Sequence, residues 1–370
     1  MSIDKLLSRF VYGFFRKILS VEENRSCDLG SPKNFIIIRQ HNQLGDLLSG
    51  VSLFRAIKET YPQSTITLIV SPANYSGLVK NKFIDRLFVF DKKKIFNPKY
   101  ISELFSLLRE GYDVAIVPVV VSISFTSNLM ARISKSKTRI GPAMLDGKVN
   151  ESSFFFDRRV VLDWRNHPDS NVSERSLDIV RPFGINTKNF KSEITFDIED
   201  EKVAEDFLVK IKYQGGTLMG FHVGAGKVQN RWSLVKYGEL IEKLYEKYNA
   251  TVYLTGSDAD SEAISFIKDR VKIDMGLFLN RQIPEVAALI SKSDLFISND
   301  TGIMHVAGTT STPQITIFGP TNPFNWAPIG DNKYFVRKSE LIDDVEVSDV
   351  FEMCEMILTE SKKSECRINI

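Results

Sequence analysis

Short apolar runs rich in β-branched residues alternate with longer amphipathic segments along most of this chain. The runs NFIIIRQ and TITLIV predict buried strands, and the segment from Leu47 to Tyr61 carries its apolar residues at helical spacing. Parallel strands need long crossover connections, which are usually helices. Alternating strands and helices therefore predict an α/β protein in which helices cover both faces of a parallel sheet.

The alternation of strands and helices occurs twice. Two doubly wound, Rossmann-like domains are predicted, over residues 34–190 and 215–335, and the length of 370 residues also favours two domains. An amphipathic helix is predicted over residues 1–20 and a second over residues 345–360. The charged tail beyond residue 360 is expected to be loose.

Charge and composition exclude several classes of protein. The formal net charge is only +2, from 48 basic and 46 acidic residues, so no overall field favours nucleic acid as a partner. Three scattered cysteines suggest a reducing compartment and neither a disulfide framework nor a zinc site, and the four histidines lack ligand spacing. We therefore expect no metal. We also expect no membrane-spanning helix, since no run of about 18 apolar residues occurs.

The segment of residues 1–20 allows two interpretations. Its apolar residues at helical spacing are Ile3, Leu6, Leu7, Phe10, Val11, Phe14, Phe15, Ile18 and Leu19. Its interspersed cations are Lys5, Arg9, Arg16 and Lys17. A helix of this kind either docks on the protein's own core or lies in a membrane surface with its cations toward anionic lipid. The cations interrupt the apolar run and no small-residue cleavage site follows, which argues against a signal peptide.

The segment RQHNQLGDLLSG leaves the first strand and enters a helix. In an open parallel sheet, the loop at the carboxyl end of a strand faces the ligand crevice. Gly45 allows a tight turn or close approach of a ligand. Asp46 either caps the helix or points into the crevice, and the segment alone favours neither alternative.

The segment FHVGAGKVQNRWS places a glycine-containing turn after another predicted strand. Backbone amides at Gly224 and Gly226, together with Lys227 and Arg231, suit the oxygens of a phosphate. The alternative is a flexible surface turn with solvated cations.

The segment DLFISNDTGIMH predicts a strand followed directly by the start of a helix. Amides at a helix start bind anions, and Gly302 would let a phosphate approach the backbone beside Asp300 and Thr301. His305, one turn later, either reaches the same place or is a core histidine. The sequence predicts an anion site here more firmly than a catalytic histidine.

The segment GSDADSE follows a further strand. Its acidic residues are favourable at a helix start without any metal. A carboxylate such as Asp260 at the end of a strand can also hold the hydroxyls of a ribose.

Taken in order over residues 34–335, these segments resemble glycosyltransferase family 9, the lipopolysaccharide heptosyltransferase family. The matching stretches are IIIRQHNQLGDLLSGVSLFRAIKETYP, HVGAGKVQNRWS, LTGS, NDTGIMHVAG and FGPTNP. The resemblance implies a GT-B fold, with two doubly wound Rossmann-like domains facing a central cleft. It also implies inverting, metal-independent transfer of a sugar, with no cofactor. The implied donor is a nucleotide diphosphate sugar, ADP-heptose foremost, and the implied acceptor is the lipopolysaccharide core or another glycan.

The same resemblance assigns roles to single residues. Asp46 is implied as the general base. The implied donor-binding residues are Gly224, Ala225, Gly226, Lys227, Arg231, Asp260, Asp300, Thr301, Gly302 and His305. The residues expected on the acceptor side are Arg39, His41, Asn42 and Gln43. The chain departs from the family at Asn230, where a lysine is common, and Lys227 or Arg231 would have to supply that charge.

Two alternatives remain within this interpretation. The same fold could use another nucleotide sugar, such as an N-acetylhexosamine donor, or the chain could be a catalytically silent scaffold that binds a nucleotide sugar. We expect a cytoplasmic enzyme with a lipid-linked or glycan acceptor, and its peripheral contact with the inner membrane depends on residues 1–20.

Overall fold

A computed structural model describes residues 12–40 and 43–368 of the chain, with side chains described as far as residue 360. The chain forms two compact units that divide between Phe190 and Lys191. Residues 191–214, which the sequence leaves between its two predicted domains, belong to the second unit. We call residues 1–190 unit 1 and residues 191–370 unit 2.

Unit 1 contains a twisted, mostly parallel sheet. Its described strands are β1 (Asn34–Arg39), β2 (Thr65–Val70), β3 (Arg86–Val89), β4 (Tyr112–Ile116), β5 (Ser136–Leu145), β6 (Lys148–Val149) and β7 (Arg158–Leu162). Its described helices are α1 (12–19), α2 (Leu44–Ser49), α3 (Val51–Thr60), α4 (Tyr75–Leu78), α5 (Pro98–Arg109), α6 (Phe125–Ile133) and α7 (Val172–Arg175). The spatial order is β3-β2-β1-β4-β5, with β6 antiparallel and β7 parallel to β5. The order reverses between β1 and β4, where doubly wound folds bind their ligands.

Unit 2 repeats this arrangement. Its described strands are β8 (Leu218–His222), β9 (Thr251–Gly256), β10 (Met275–Leu279), β11 (Leu295–Asn299), β12 (Gln314–Ile317) and β13 (Lys333–Val336). Its described helices are α8 (Ile198–Lys210), α9 (Leu234–Tyr248), α10 (Ser261–Arg270), α11 (Ile283–Ser291), α12 (Gly302–Gly308), α13 (Pro323–Trp326) and α14 (Val347–Ile368). All its neighbouring strands are parallel in the order β10-β9-β8-β11-β12-β13. The order reverses between β8 and β11, so the segments after these two strands meet at the switch point.

The helix predicted from Leu47 to Tyr61 is divided in two. Helix α2 ends at Ser49 and α3 begins at Val51, and the amide of Gly50 donates to the carbonyl of Leu47, 3.0 Å away, as in a tighter turn. The guanidinium of Arg39 occupies the space that a Cβ at Gly50 would need. The helix thus divides at Gly50, whose close packing against Arg39 is not contained in helical periodicity.

The described part of the N-terminal helix docks on unit 1. The ring of Phe15 contacts Phe125 and Phe155 edge-on, at centroid distances of 5.6 and 6.3 Å. Beside these contacts the helix stays open, with Phe14 55% and Ile18 59% exposed. Docking on the protein's own core was one of the two sequence interpretations, and the described residues follow it. Residues 1–11, which carry the other predicted apolar positions, lie outside the described residues.

The C-terminal helix differs from its prediction. Helix α14 continues past residue 360 to Ile368, the last described residue, and the segment after residue 360 contains no glycine or proline that would end a helix earlier. In the part of the chain that the structure describes, no helix is long and apolar enough to cross a bilayer.

Candidate active site

Asn299, the last residue of β11, organises the switch point of unit 2. It is fully buried, and its amide nitrogen donates to the carbonyl oxygens of Val223 at 3.0 Å and Gly224 at 3.1 Å. Its carbonyl oxygen accepts from the backbone amide of Trp232 and the hydroxyl of Tyr237, both at 3.1 Å. One side chain thus fixes both ends of the turn after β8. The position of Asn299 at the end of a strand places it at the switch point, but its hydrogen-bond partners follow only from the fold.

Gly224 lies where any side chain would collide with Asp260. A Cβ built at Gly224 would lie 2.7 Å from Cγ of Asp260. Oδ2 of Asp260 accepts from the amide and the hydroxyl of Ser257, both at 2.9 Å. These hydrogen bonds cap the turn before α10. Glycine is therefore required for close approach of the two segments. Asp260 itself has a capping role that does not exclude contact with a ribose.

A cavity of about 240 Å³ opens beside this contact. Its lining residues are Val223, Gly224, Arg231, Leu234, Ala259, Asp260, Glu262, Ala263 and Phe266. The wall combines apolar side chains with one guanidinium and two carboxylates. Such a mixture suits a flat apolar ring attached to polar hydroxyls.

The predicted cations occupy the rim of the turn. Lys227 and Arg231 are exposed, and Nε of Arg231 donates to the carbonyl of Ala225 at 2.8 Å. Ala225 is buried, whereas Gly226 is exposed. The guanidinium is therefore held on the backbone of the same turn whose amides were predicted to bind phosphate.

Asn230 connects this turn to the start of α12. Its amide nitrogen donates to the Asp300 carboxylate at 2.8 Å and to the Asp300 carbonyl at 3.2 Å. Burial raises the pKa of Asp300. A hydrogen bond from Thr321 and the charge of Lys227 act in the opposite direction and lower that pKa. Lys227 thus supplies a positive field beside Asp300. Asn230 supplies a neutral donor at the position where the family commonly has a lysine.

The start of α12 exposes backbone amides but forms a short helix. Thr301 is extended and its side chain makes no cap hydrogen bond, and Gly302 begins a helix of 7 residues. The half-buried Thr301 and Gly302 follow β11 directly at the switch point. A helix this short has a small dipole, so the local amides matter more here than the dipole on which the sequence argument relied.

His305 is a buried, neutral histidine. Burial lowers its pKa to about 4, and its ring meets Trp326 edge-on at a centroid distance of 6.4 Å. An imidazole with this pKa carries no charge near neutral pH, so it cannot serve as a cation for phosphate. The core interpretation of His305 fits this environment, while its contact with a donor stays a prediction.

In unit 1, Asp46 is the third residue of α2 and is only 4% exposed. The N-cap position is Gln43, so the interpretation of Asp46 as the cap is wrong. The buried guanidinium of Arg39 donates through Nη2 to the backbone carbonyl of Asp46. Burial lowers the pKa of Arg39 and the charge of Asp46 raises it. Arg39 therefore supports the helix that carries the predicted base.

The remaining acceptor-side residues are only partly described. Gln43 is exposed and extended at the start of α2. His41 and Asn42 lie outside the described residues. Contact of these residues with an acceptor stays a prediction. In the described part of the chain, no group of three or more His, Cys, Asp or Glu side chains could hold a metal ion.

Comparison with known proteins identifies the family. The sequence profile described as "Glycosyltransferase family 9 (heptosyltransferase)" matches residues 101–352. Lipopolysaccharide heptosyltransferase 3 of Escherichia coli is 22% identical over 308 residues, which cover 78% of this chain and 84% of that protein.

Two solved structures share the fold. The glycosyltransferase family 9 protein of Veillonella parvula has a TM-score of 0.76 at 18% identity, over 91% of this chain and 100% of the other. The ADP-heptose lipopolysaccharide heptosyltransferase II of E. coli has a TM-score of 0.72 at 19% identity, over 88% and 99%. The predicted GT-B class with two Rossmann-like domains is thereby confirmed. The chain belongs to glycosyltransferase family 9, the heptosyltransferase family, and is a glycosyltransferase.

Proposed function

We propose that this glycosyltransferase moves a heptose from ADP-heptose to an acceptor in the lipopolysaccharide core. Its relatives support this choice, since one is a lipopolysaccharide heptosyltransferase and another is an ADP-heptose lipopolysaccharide heptosyltransferase. The observation that carries the proposal is the joining of two backbone segments at the switch point of unit 2. Asn299 and Asn230 connect the turn at residues 223–226 with the start of α12.

The turn and the helix start form the proposed diphosphate site. Amides of Gly224, Ala225 and Gly226 donate to phosphate oxygens, and Lys227 and Arg231 supply positive charge at the same rim. The cavity beside Asp260 takes the nucleoside, with the carboxylate near the ribose hydroxyls. Two side-chain cations and several amides can balance a diphosphate, so the proposed reaction needs neither a metal ion nor a cofactor.

The proposed chemistry is a single displacement. The Asp46 carboxylate takes the proton from an acceptor hydroxyl, whose oxygen forms a bond to the anomeric carbon. The bond from that carbon to the diphosphate breaks, and its electron pair leaves on the phosphate oxygen. Because attack and departure occur on opposite faces, the anomeric configuration inverts. A positioned general base contributes about 10²–10⁴-fold, and donors at the leaving oxygen stabilise the charge that develops there.

A second candidate uses the same fold with another nucleotide sugar as the donor. Asn230 stands at the position where the resemblance leads us to expect a lysine. Its amide donates to Asp300, which is expected to face the sugar. A neutral amide at this position favours a donor with different polar groups, such as an N-acetylhexosamine. For either donor we propose a cytoplasmic enzyme that acts on a lipid-linked or other glycan.

Calorimetric titration tests the donor site. ADP, ADP-heptose, UDP-N-acetylglucosamine and adenosine are titrated into the full chain. We expect ADP-heptose to bind, and Lys227→Ala and Arg231→Ala to weaken ADP about tenfold and adenosine less. Lys268→Ala, which removes an exposed lysine on α10, should leave every affinity unchanged. Binding of UDP-N-acetylglucosamine alone would replace heptose with the second candidate.

A further inference from the structure

The loop between β3 and α5 presents apolar side chains and cations on the same exposed surface. Residues 92–99, with the sequence KKKIFNPK, are all exposed. Phe96 is 91% exposed and Ile95 is 40% exposed. We call residues 91–97 the lysine–phenylalanine loop.

The loop is held in shape by its own polar contacts. Asp91 accepts from the amide of Lys93 at 2.9 Å. Asn97 caps α5 by accepting from the amides of Lys99 and Tyr100 at 3.0 and 3.2 Å. The Tyr100 hydroxyl accepts from the amide of Asp91 at 2.7 Å and donates to the carbonyl of Val89 at 2.9 Å. The exposure of Phe96 is therefore imposed by an ordered backbone.

The charge around Phe96 is predominantly positive. Residues 91–99 contain four lysines and one aspartate, which gives a net charge of +3. The next acidic side chain along α5 is Glu103. An exposed aromatic ring within a cluster of cations matches a surface with anionic groups above an apolar layer. A soluble polyanion would use the lysines but would give the phenylalanine no apolar partner.

From this combination we infer that the lysine–phenylalanine loop docks unit 1 on the surface of an anionic phospholipid bilayer. Lys92, Lys93 and Lys94 lie among the headgroups, and Phe96 enters the layer beneath them. The described part of α1 is a separate feature, because it packs on α6 and Phe155, whereas the loop follows the edge strand β3.

Docking at this loop has a consequence for the rest of unit 1. Val89 at the end of β3 pairs with Val70 of β2, and Val70 pairs with Arg39 at the end of β1. The loop and the segment that leads to α2 and Asp46 therefore both leave the sheet at the carboxyl ends of its strands. A bilayer contact at the loop would bring the carboxyl ends of these strands to the membrane surface, where a lipid-linked acceptor is available. This last consequence rests on the proposed function, whereas the membrane contact does not.

Sedimentation with vesicles tests the inference. The full chain is mixed with vesicles of phosphatidylcholine alone or of phosphatidylcholine with phosphatidylglycerol. We expect binding only to the anionic vesicles. The triple variant K92S/K93S/K94S should bind roughly a hundredfold more weakly, at about fivefold for each lysine. Phe96→Ser should weaken binding about tenfold through lost apolar burial.

Matched variants control for charge and for exposed apolar area. K202S/K210S/K268S removes three exposed lysines of unit 2 and changes the net charge equally, and Val209→Ser removes a side chain that is 75% exposed. Both should bind vesicles like the wild type, and all variants should keep their affinity for ADP if the donor site exists. A failure of ADP binding in every protein would reject the proposed function alone.

Three results would overturn the membrane inference. Wild-type protein that does not sediment with anionic vesicles would reject it. Binding that is lost in F14S/I18S but kept in both loop variants would assign the contact to α1. Binding that needs the lysines, is unaffected by Phe96→Ser and is displaced by inorganic polyphosphate would make the loop a site for soluble polyanions.

Discussion

The side-chain amide of Asn230 donates a 2.8 Å hydrogen bond to the carboxylate of Asp300, 70 positions further along the chain. This bond joins the turn after β8 to the start of α12. Burial raises the pKa of Asp300. Its ionised form is therefore favoured only by its hydrogen-bond donors and by the charge of Lys227. We therefore expect Asn230 to position Asp300.

Removing the Asn230 amide should leave a buried carboxylate with fewer donors. We expect Asn230→Ala to lower the free energy of unfolding by about 1–3 kcal/mol and to weaken ADP binding. Asn230→Asp should be worse, because it places two carboxylates side by side. Chemical unfolding and calorimetric titration measure the two effects. Gln229→Ala, at the exposed neighbouring position, should behave as wild type, and a wild-type Asn230→Ala would contradict the positioning role.

Two glycines of the same turn should respond differently to one methyl group. A Cβ at Gly224 would lie 2.7 Å from Cγ of Asp260, whereas a Cβ at Gly226 would meet nothing within 4 Å. Gly224→Ala should therefore lower the melting temperature, and Gly226→Ala should leave it unchanged. G224A/D260A removes the colliding carboxylate and should recover part of the loss. Equal melting temperatures for the two single variants would show that Gly224 and Asp260 do not constrain each other.

Asp46→Asn should separate chemistry from binding and from folding. The substitution keeps the side-chain shape and the backbone carbonyl that accepts from Arg39. We expect the turnover rate to fall about 10²–10⁴-fold, with the dissociation constant of ADP and the melting temperature nearly unchanged. Wild-type turnover would remove Asp46 from the mechanism, and a large fall in melting temperature would make it structural.

His305 should make the protein less stable as the pH falls. Burial lowers its folded pKa to about 4 from an ordinary value of 6.5, so between these values the unfolded chain binds the extra proton. The penalty approaches roughly 3 kcal/mol near the folded pKa and is absent well above 6.5. The free energy of unfolding, measured at pH 7 and pH 5, should therefore change less in His305→Gln than in wild type. His167→Gln removes an exposed histidine and should keep the wild-type difference, and an unchanged difference in His305→Gln would place His305 in a solvated environment.

Sequence periodicity predicts the parts of the fold that are locally encoded. β1 and β2 are continuous apolar runs, and α9 and α11 carry clear amphipathic or apolar patterns. Such periodicity does not predict the strand β5, because SKTRIGPAML mixes polar residues, a glycine and a proline with few apolar ones. The division between α2 and α3 falls at Gly50, and the close packing of Arg39 from β1 on this glycine does not follow from periodicity.

The candidate site shows the same limit. Gly224, Lys227, Arg231 and Thr301 could be chosen because turns after strands carry recognisable residue types. The role of Asn299 could not, because its four hydrogen bonds reach residues between 62 and 76 positions away. The neutral state of His305 likewise depends on burial beside Trp326, which spacing along the chain does not reveal.

Transfer from ADP-heptose to a heptose-deficient lipopolysaccharide core, with a chelator present, tests the central claim most directly. Mass spectrometry follows the acceptor and chromatography follows the nucleotide. The account predicts one added heptose per acceptor, an equal amount of released ADP, and an inverted anomeric configuration in the product. An unchanged acceptor, together with consumption of a different nucleotide sugar, would contradict it. Transfer that occurs only when magnesium is added back would contradict it as well.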